Sequence, residues 1–339
     1  MNLQERIHVL IDLGNKMRKS DDVELENVML KAEIENPWFT QNNIRQALDA
    51  ISTQFLNKTA LDGLVEKYHL DDNIQPKNVG IVMAGNIPLV GFHDLMCTFL
   101  VGHKSIVKLS GSDSALMNFV IHFISNSLQE SANYTTVVDR LKNFDAAIAT
   151  GSNSTAKHFE YYLKDVPHII RRNRNSVAVI RGNESDEELT VLGQDIFSYF
   201  GLGCRNVSKV MVPENYDLTK LFRAFDLFKE YINHNKYKNN VDYNTALFLL
   251  NKENFLHNEF MIIKQSESIL SRIGCLHYDY YTNDTSLVQW LEAHKDEIQC
   301  IISQEHLNGL KTEKFGQAQC PAIDSFADGI DTIQFLLAV

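Results

Sequence analysis

The stretch "VGIVMAGNIPLVGFHDLMCTFLVGHKSIVKLS", residues 79–110, decides the fold. It opens on a short apolar run, "VGIVMAG", closed by glycine. That length and that flank predict a buried strand. "IPLVGFHDLMCTFLVG" predicts an apolar helix with Pro88 in its first turn, where a missing N–H costs nothing. "SIVKLS" predicts a second strand. Strand, helix and strand in so short a stretch make a βαβ unit, which calls for parallel pairing. The pattern continues downstream. A helix is expected over 112–127, a strand at "DAAIATG", a helix over 154–163, a strand at "SVAVIRG", a helix over 186–200 and a strand at "SKVMVP". Past Pro213 the alternation is less clean. It reads as a helix over 218–232, strands at "TALFLL" and "FMIIKQ", a helix over 287–294 and a strand at "IQCIIS".

Residues 1–70 read differently. Leu3, Ile7, Leu10, Ile11 and Leu13 recur at helical spacing, as do Leu61, Leu64, Val65 and Tyr68, with a break at Pro37. The expected fold class is α/β, with two doubly wound α/β domains behind an N-terminal helical region. The passage from one βα series to the next sets a boundary near 180. Residues 1–180 then hold the helices and the first series, and residues 181–339 the second, with a C-terminal return segment.

Composition narrows the function. With 339 residues, 44% of them hydrophobic, the chain can build about two domains without covalent staples. A net charge of -11 argues against a nucleic-acid partner, which selects a basic face. Cys97, Cys204, Cys275, Cys300 and Cys320 are odd in number and include no CxxC pair. They make neither a disulfide framework nor a zinc site, so no metal is expected. The N-terminus lacks the apolar core of a signal peptide. No apolar run nears the ~18 residues of a membrane span. The expected compartment is a reducing cytoplasm.

Four elements are suited to chemistry. Asn86 in "MAGNIP" follows a strand end, where its amide can donate beside a helix N-terminus; alone it reads as an N-cap. Lys108 ends a strand ahead of the small polar residues of "VKLSGSDS", which suits an anionic or ribose ligand; alone it is a solvated lysine. Gly151 and the hydroxyls of "ATGSNSTAKHF" open a helix and could cradle phosphates. Cys204 follows Gly201 and Gly203 in a turn between a helix and a strand, with Arg205 adjacent. Exposed amides and a cation stabilise a thiolate. Cys97 and Cys300 lie in apolar runs and read as small buried hydrophobes.

The order of "GNIP", "KLSGS", "TGSNS" and "FGLGC" resembles the aldehyde dehydrogenase superfamily, and "TEKFGQA" at 312–318 resembles its Glu-x-Phe-Gly element. The wording of "GNIPLVGFHD" and "GLGCRNVSKVMVP" is most similar to acyl-CoA reductases of the LuxC type. The resemblance implies roles residue by residue. Cys204 is the nucleophile that forms an acyl thioester. Asn86 and the Cys204 amide form the oxyanion hole. Lys108 contacts the adenosine ribose, Ser110 is a further cofactor-binding residue, and Gly151 and Ser152 line the cofactor cleft. Glu313 binds the nicotinamide ribose, and Phe315 packs near the ring.

Departures from the family pattern sharpen this. Arg171 in "RRNRNSVAVI" stands where aldehyde-oxidising members carry the glutamate that activates a deacylating water. Gly111 stands where NAD-preferring members often carry a glutamate on the ribose hydroxyls, which favours NADP(H) over NAD(H). The chain is short for the family, so a homo-oligomer stays open. The implied activity is NADPH-dependent reduction of an acyl-CoA, of fatty acyl type, to the aldehyde. Three alternatives stand beside it: a reductase of acyl phosphates or short acyl-CoAs, an NAD(P)-dependent aldehyde dehydrogenase, and an inactive binding relative. Arg171, Arg172 and Arg174 read as a solvated basic run, with contact to CoA phosphates or to the thiolate as the functional alternative.

Overall fold

A computed structural model of the chain describes residues 1–307 and 309–339. The chain divides into two compact units, residues 1–173 with 320–339, and residues 174–319. The first unit opens with four helices, α1 (Leu3–Arg18), α2 (Val23–Glu35), α3 (Gln41–Gln54) and α4 (Lys58–Tyr68). Each starts on a side-chain cap from Asn2, Asp22, Thr40 or Asn57, which satisfies an orphan N–H of the first turn. α1 buries Leu3, Ile7, Leu10, Leu13 and Met17 along one stripe, as their spacing requires.

A βα series follows, with β3 and β5 added to the strands expected: β1 (Asn78–Val82), α5 (Phe92–Val101), β2 (Lys104–Lys108), α6 (Ser114–Ser127), β3 (Thr135–Val137), β4 (Ala146–Thr150), α7 (Asn153–Leu163) and β5 (His168–Arg171). The sheet is parallel throughout, in the order β3-β2-β1-β4-β5. That is one half of a doubly wound fold, and its strand order reverses between β1 and β4.

One expectation fails here. Pro88 is not in the first turn of a helix. α5 begins at Phe92, because Leu89 adopts a left-handed conformation (φ 58°) and gives its N–H to Asp113 at 2.7 Å.

The second unit holds β6 (Asn175–Val179), α8 (Asp186–Phe197), β7 (Val207–Pro213), α9 (Thr219–Ala224), α10 (Asn235–Leu250), β8 (Leu256–His257), β9 (Ile262–Gln265), β10 (Cys275–Tyr281), α11 (Asp284–Ala293) and β11 (Ile298–Ser303). Its sheet runs β11-β6-β7-β10-β9-β8, parallel except for the edge strand β8.

Three expectations are corrected in this unit. "TALFLL" is the end of α10, not a strand; Val241, Asn244 and Phe248 are buried at helical spacing while Leu249 and Leu250 face out. The helix expected over 218–232 is the short α9 followed by a 3₁₀ segment, Asp226–Asn233. β10 lies between β7 and β9 yet was not expected, because His277 and Asp279 interrupt its apolar run.

The division differs from the boundary near 180. Strand β6 pairs with β7 and β11, so residues 175–179 belong to the second sheet. Residues 320–339 belong to the first unit. There Ile323, Phe326, Ile333 and Leu336 join the core, the last two on the closing helix α12 (Thr332–Leu337). Among the described residues, no helix is long and apolar enough to cross a membrane.

His103 helps to hold that closing segment. The Lys77 N–H donates to its Nδ1 at 3.1 Å, so Nε2 carries the proton and donates to the Leu336 carbonyl at 2.8 Å. Burial lowers its pKa from 6.5. The unfolded chain protonates this histidine first, so its contribution to stability is lost as pH falls below 6.5. Buried carboxyls titrate in the opposite sense, so the effect is read by difference. Between about pH 7.5 and about pH 5.5, His103→Gln should lose less stability in urea unfolding than the unsubstituted protein. Equal losses would refute the assignment.

Candidate active site

In the first unit, the parallel register brings three of the expected junctions to one edge of the sheet. Val82 pairs with Lys108 and with Ala149, so β1, β2 and β4 end together. Lys108 closes β2, and the loops that follow the three strands carry Asn86, Ser110, and Gly151 with Ser152. Asn86 is exposed in the loop after β1, well ahead of α5, so it is not the N-cap of that helix; Gly91 is. Asp113 braces this loop through the Leu89 N–H, and burial pushes its pKa up to about 8. A Cβ at Gly85 would sit 2.5 Å from Ser110 Oγ, so the Asn86 loop lies against that serine. Lys108 and Gly111 are exposed. Ser152 caps α7, accepting from the Thr155 N–H at 3.2 Å, and its Oγ lies 2.9 Å from the hydroxyls of Ser154 and Thr155. A topological switch point with a helix N-terminus and open hydroxyls fits a dinucleotide.

Arg171 corrects the reading of a solvated basic run. It is buried at 4% exposure and grips Asp94 with Nη2 at 2.7 Å and Nε at 3.2 Å. It also donates to Thr332 Oγ1 at 2.7 Å and to the Ala327 carbonyl. Its charge is therefore committed to closing the C-terminal segment onto its own unit. Arg172 is exposed and pairs with Glu160.

In the second unit, Cys204 is half-buried at the amino end of β7. The turn is built rather than loose, and Asn206 builds it. Its Oδ1 accepts the Gly203 N–H at 2.8 Å. Its Nδ2 donates to the carbonyls of Asp195 at 3.0 Å and Ser198 at 2.8 Å. These are carbonyls that α8 leaves open at its end. They explain why the helix stops at Phe197 rather than at 200, with Tyr199 and Phe200 both left-handed (φ 52° and 57°). Ser176 Oγ donates to the Cys204 carbonyl at 3.2 Å and lies 2.9 Å from Cys300 Sγ.

Three of the other thiols are held protonated, while Cys320 is exposed. Burial pushes Cys275 and Cys300 up to about 12 and raises Cys97 well above its ordinary value.

One expected residue, Glu313, meets Cys204's neighbour. The Arg205 guanidinium donates to both Glu313 oxygens, at 3.1 and 3.2 Å, and to the Ala318 carbonyl at 3.3 Å. Arg205 is thus engaged with Glu313. Glu313 is bridged to β11 through its own backbone, giving its N–H to Ile301 and accepting from Ser303. Phe315 is 3% exposed and packs in its unit's own core, so it offers little ring face to a ligand. Asp195 and Asn206 were not foreseen. An Asn two residues past the cysteine was the available signal for the second. Among the described residues, no group of three or more His, Cys, Asp or Glu is disposed to hold a metal ion.

The chain's likeness to solved structures is to aldehyde dehydrogenases. Aldehyde dehydrogenase 21 from Physcomitrella patens, in complex with the reaction product succinate, matches at TM-score 0.70 and 11% identity, over 100% of this chain and 84% of that one. The chain has the aldehyde dehydrogenase fold. The Mycobacterium tuberculosis aldehyde dehydrogenase complexed with NAD+ matches at TM-score 0.64 and 12% identity, over 89% and 73% of the two chains. The NAD+ complex of aldehyde dehydrogenase from Bacillus cereus matches at TM-score 0.63 and 12% identity, over 93% and 76%. No protein-family model and no curated protein matches the sequence.

Proposed function

We propose that this protein is an NAD(P)-dependent oxidoreductase that reduces an acyl-CoA thioester, of fatty acyl type, to the aldehyde through a covalent acyl-cysteine. The observation that carries the reading is the Cys204 turn. It offers a half-buried thiol on a backbone fixed by Asn206, while three other thiols stay protonated. Cys204 attacks the thioester carbonyl and CoA leaves as the thiol. The Cys204 amide is an oxyanion donor in this reading; one such donor is worth about 2.7–4 kcal/mol in other enzymes. Lys108, Ser110, Gly151 and Ser152 hold the dinucleotide, with Glu313 toward its nicotinamide ribose. The bound cofactor supplies the hydride that reduces the thioester carbon.

Arg171 favours reduction over hydrolysis. A guanidinium bound to Asp94 is no proton acceptor, so the residue that the resemblance sets in place of the deacylating glutamate supplies no base for hydrolysis in this reading. NADPH is preferred over NADH in this reading. Gly111 is exposed, and an added Cβ there would meet nothing within 4 Å, which leaves room for a 2′-phosphate. A reducing cytoplasm keeps Cys204 a thiol.

A second reading, NAD(P)-dependent aldehyde oxidation, is favoured by the fold neighbours, which are aldehyde dehydrogenases. One assay separates the two. The protein is mixed with NADPH and acyl-CoAs of graded chain length, and absorbance and released thiol are followed. The expected result is NADPH oxidation matched by CoA release. Oxidation of aldehydes with NAD+ or NADP+, and none of NADPH with any acyl-CoA, would overturn the proposal; so would turnover of acyl phosphates alone.

A further inference from the structure

Asp195 lies on α8 with its side chain fully enclosed, and both its oxygens are used. One accepts the Gly316 N–H at 2.6 Å and the other the Ala318 N–H at 3.0 Å. These amides belong to the segment that carries Glu313 and Phe315. The Asp195 carbonyl accepts Asn206 Nδ2, and Asn206 in turn holds the Gly203 N–H beside Cys204. A short chain of hydrogen bonds thus links the nucleophile turn to the 313–318 loop, and the Arg205–Glu313 pair ties the same two segments a second time.

A buried carboxylate is costly unless its partners compensate. Here the compensation is incomplete. Burial, with the nearby Glu313 charge, pushes the Asp195 pKa up to about 7 against the opposing pull of the two amides. An apolar residue would serve the helix better. Gly316 meets the same helix face, one turn away. It is left-handed (φ 78°), and a Cβ there would lie 2.5 Å from Val191 Cγ1. The loop is therefore seated on the face made by Val191, Gln194 and Asp195.

We propose that Asp195 is a positioning residue that latches the 313–318 loop to the nucleophile helix and so sets affinity for the nicotinamide cofactor, given the function proposed above. It touches neither substrate nor cofactor. Its carboxylate fixes the loop from which Glu313 reaches the cofactor, while its backbone carbonyl serves the Cys204 turn and survives side-chain substitution.

The test uses the full chain with NADPH as the probe. NADPH affinity is measured by fluorescence titration, and CoA release by a single turnover with acyl-CoA and no cofactor. In Asp195→Asn one acceptor oxygen becomes a donor facing a backbone N–H. The NADPH Kd should rise about tenfold, equal to about 1.4 kcal/mol. Acylation of Cys204 should stay within about twofold, since it needs no loop contact. A merely structural role would weaken both together, and that outcome would overturn the proposal. An unchanged Kd in folded Asp195→Asn would also overturn it. Should Asp195→Asn not accumulate as folded protein, Gly316→Ala lifts the loop from the other side. It should raise the Kd with acylation retained, and an unchanged Kd overturns the latch. Failure of the unsubstituted protein to bind NADPH is a different result, which removes the functional reading itself.

Discussion

Cys204→Ala should abolish covalent labelling of the protein by acyl-CoA and lower acyl-CoA-dependent NADPH oxidation by roughly 10⁴-fold or more, the scale of removing a catalytic nucleophile. The loss should fall on the chemical step. The turn is held by the Asn206 side chain and by the Cys204 carbonyl, neither of which needs the thiol, so the variant should fold and unfold like the unsubstituted protein. Cys300→Ala is the matched control. Its sulfur lies 2.9 Å from Ser176 Oγ, which also reaches Cys204, but its thiol is pushed up to about 12. A thiol so held is protonated at neutral pH and a poor nucleophile. Mass spectrometry after incubation with acyl-CoA reads both variants. An adduct that persists in Cys204→Ala, or disappears only in Cys300→Ala, would move the nucleophile elsewhere.

Asp94→Ala should destabilise the first unit by about 3–5 kcal/mol, because it leaves the Arg171 guanidinium buried without its counter-charge. Arg171 is 4% exposed, and Thr332 Oγ1 and the Ala327 carbonyl would be left to hold it. These two partners lie in the closing segment, so residues 320–339 should loosen first, seen as early proteolysis or amide exchange there. Replacing Asp94 and Arg171 together by apolar residues of similar volume should cost much less, since no lone charge remains. Urea unfolding midpoints measure this. A shift below about 1 kcal/mol for Asp94→Ala would refute the role given to the pair.

Much of the fold is legible along the chain. The stretch 79–110 carries its βαβ meaning in local terms, through run length, a closing glycine and apolar spacing, and these act over a few residues. The failures are local signals overruled by distant partners. Pro88 looks like a helix opener, but Asp113 takes the Leu89 N–H and delays α5 to Phe92. "TALFLL" looks like a strand, but α10 buries Phe248 against the sheet and leaves Leu249 and Leu250 outside. β10 is hidden by His277 and Asp279, polar residues that a strand in mid-sheet tolerates only when partners are supplied; His277 Nδ1 meets the Ser268 carbonyl at 2.9 Å.

The site divides in the same way. By itself the sequence determined two βα series, the cysteine behind two glycines, and the order of motifs ending in "TEKFGQA". These are matters of adjacency and spacing, which a chain carries at every length. Only the tertiary structure decided what the charged and polar groups do. Arg171 closes on Asp94, Arg205 on Glu313, and Asp195 on the amides of Gly316 and Ala318. Each partner lies far along the chain. A buried charge takes whichever counter-group packing delivers to it, and no pattern within a single segment records that meeting.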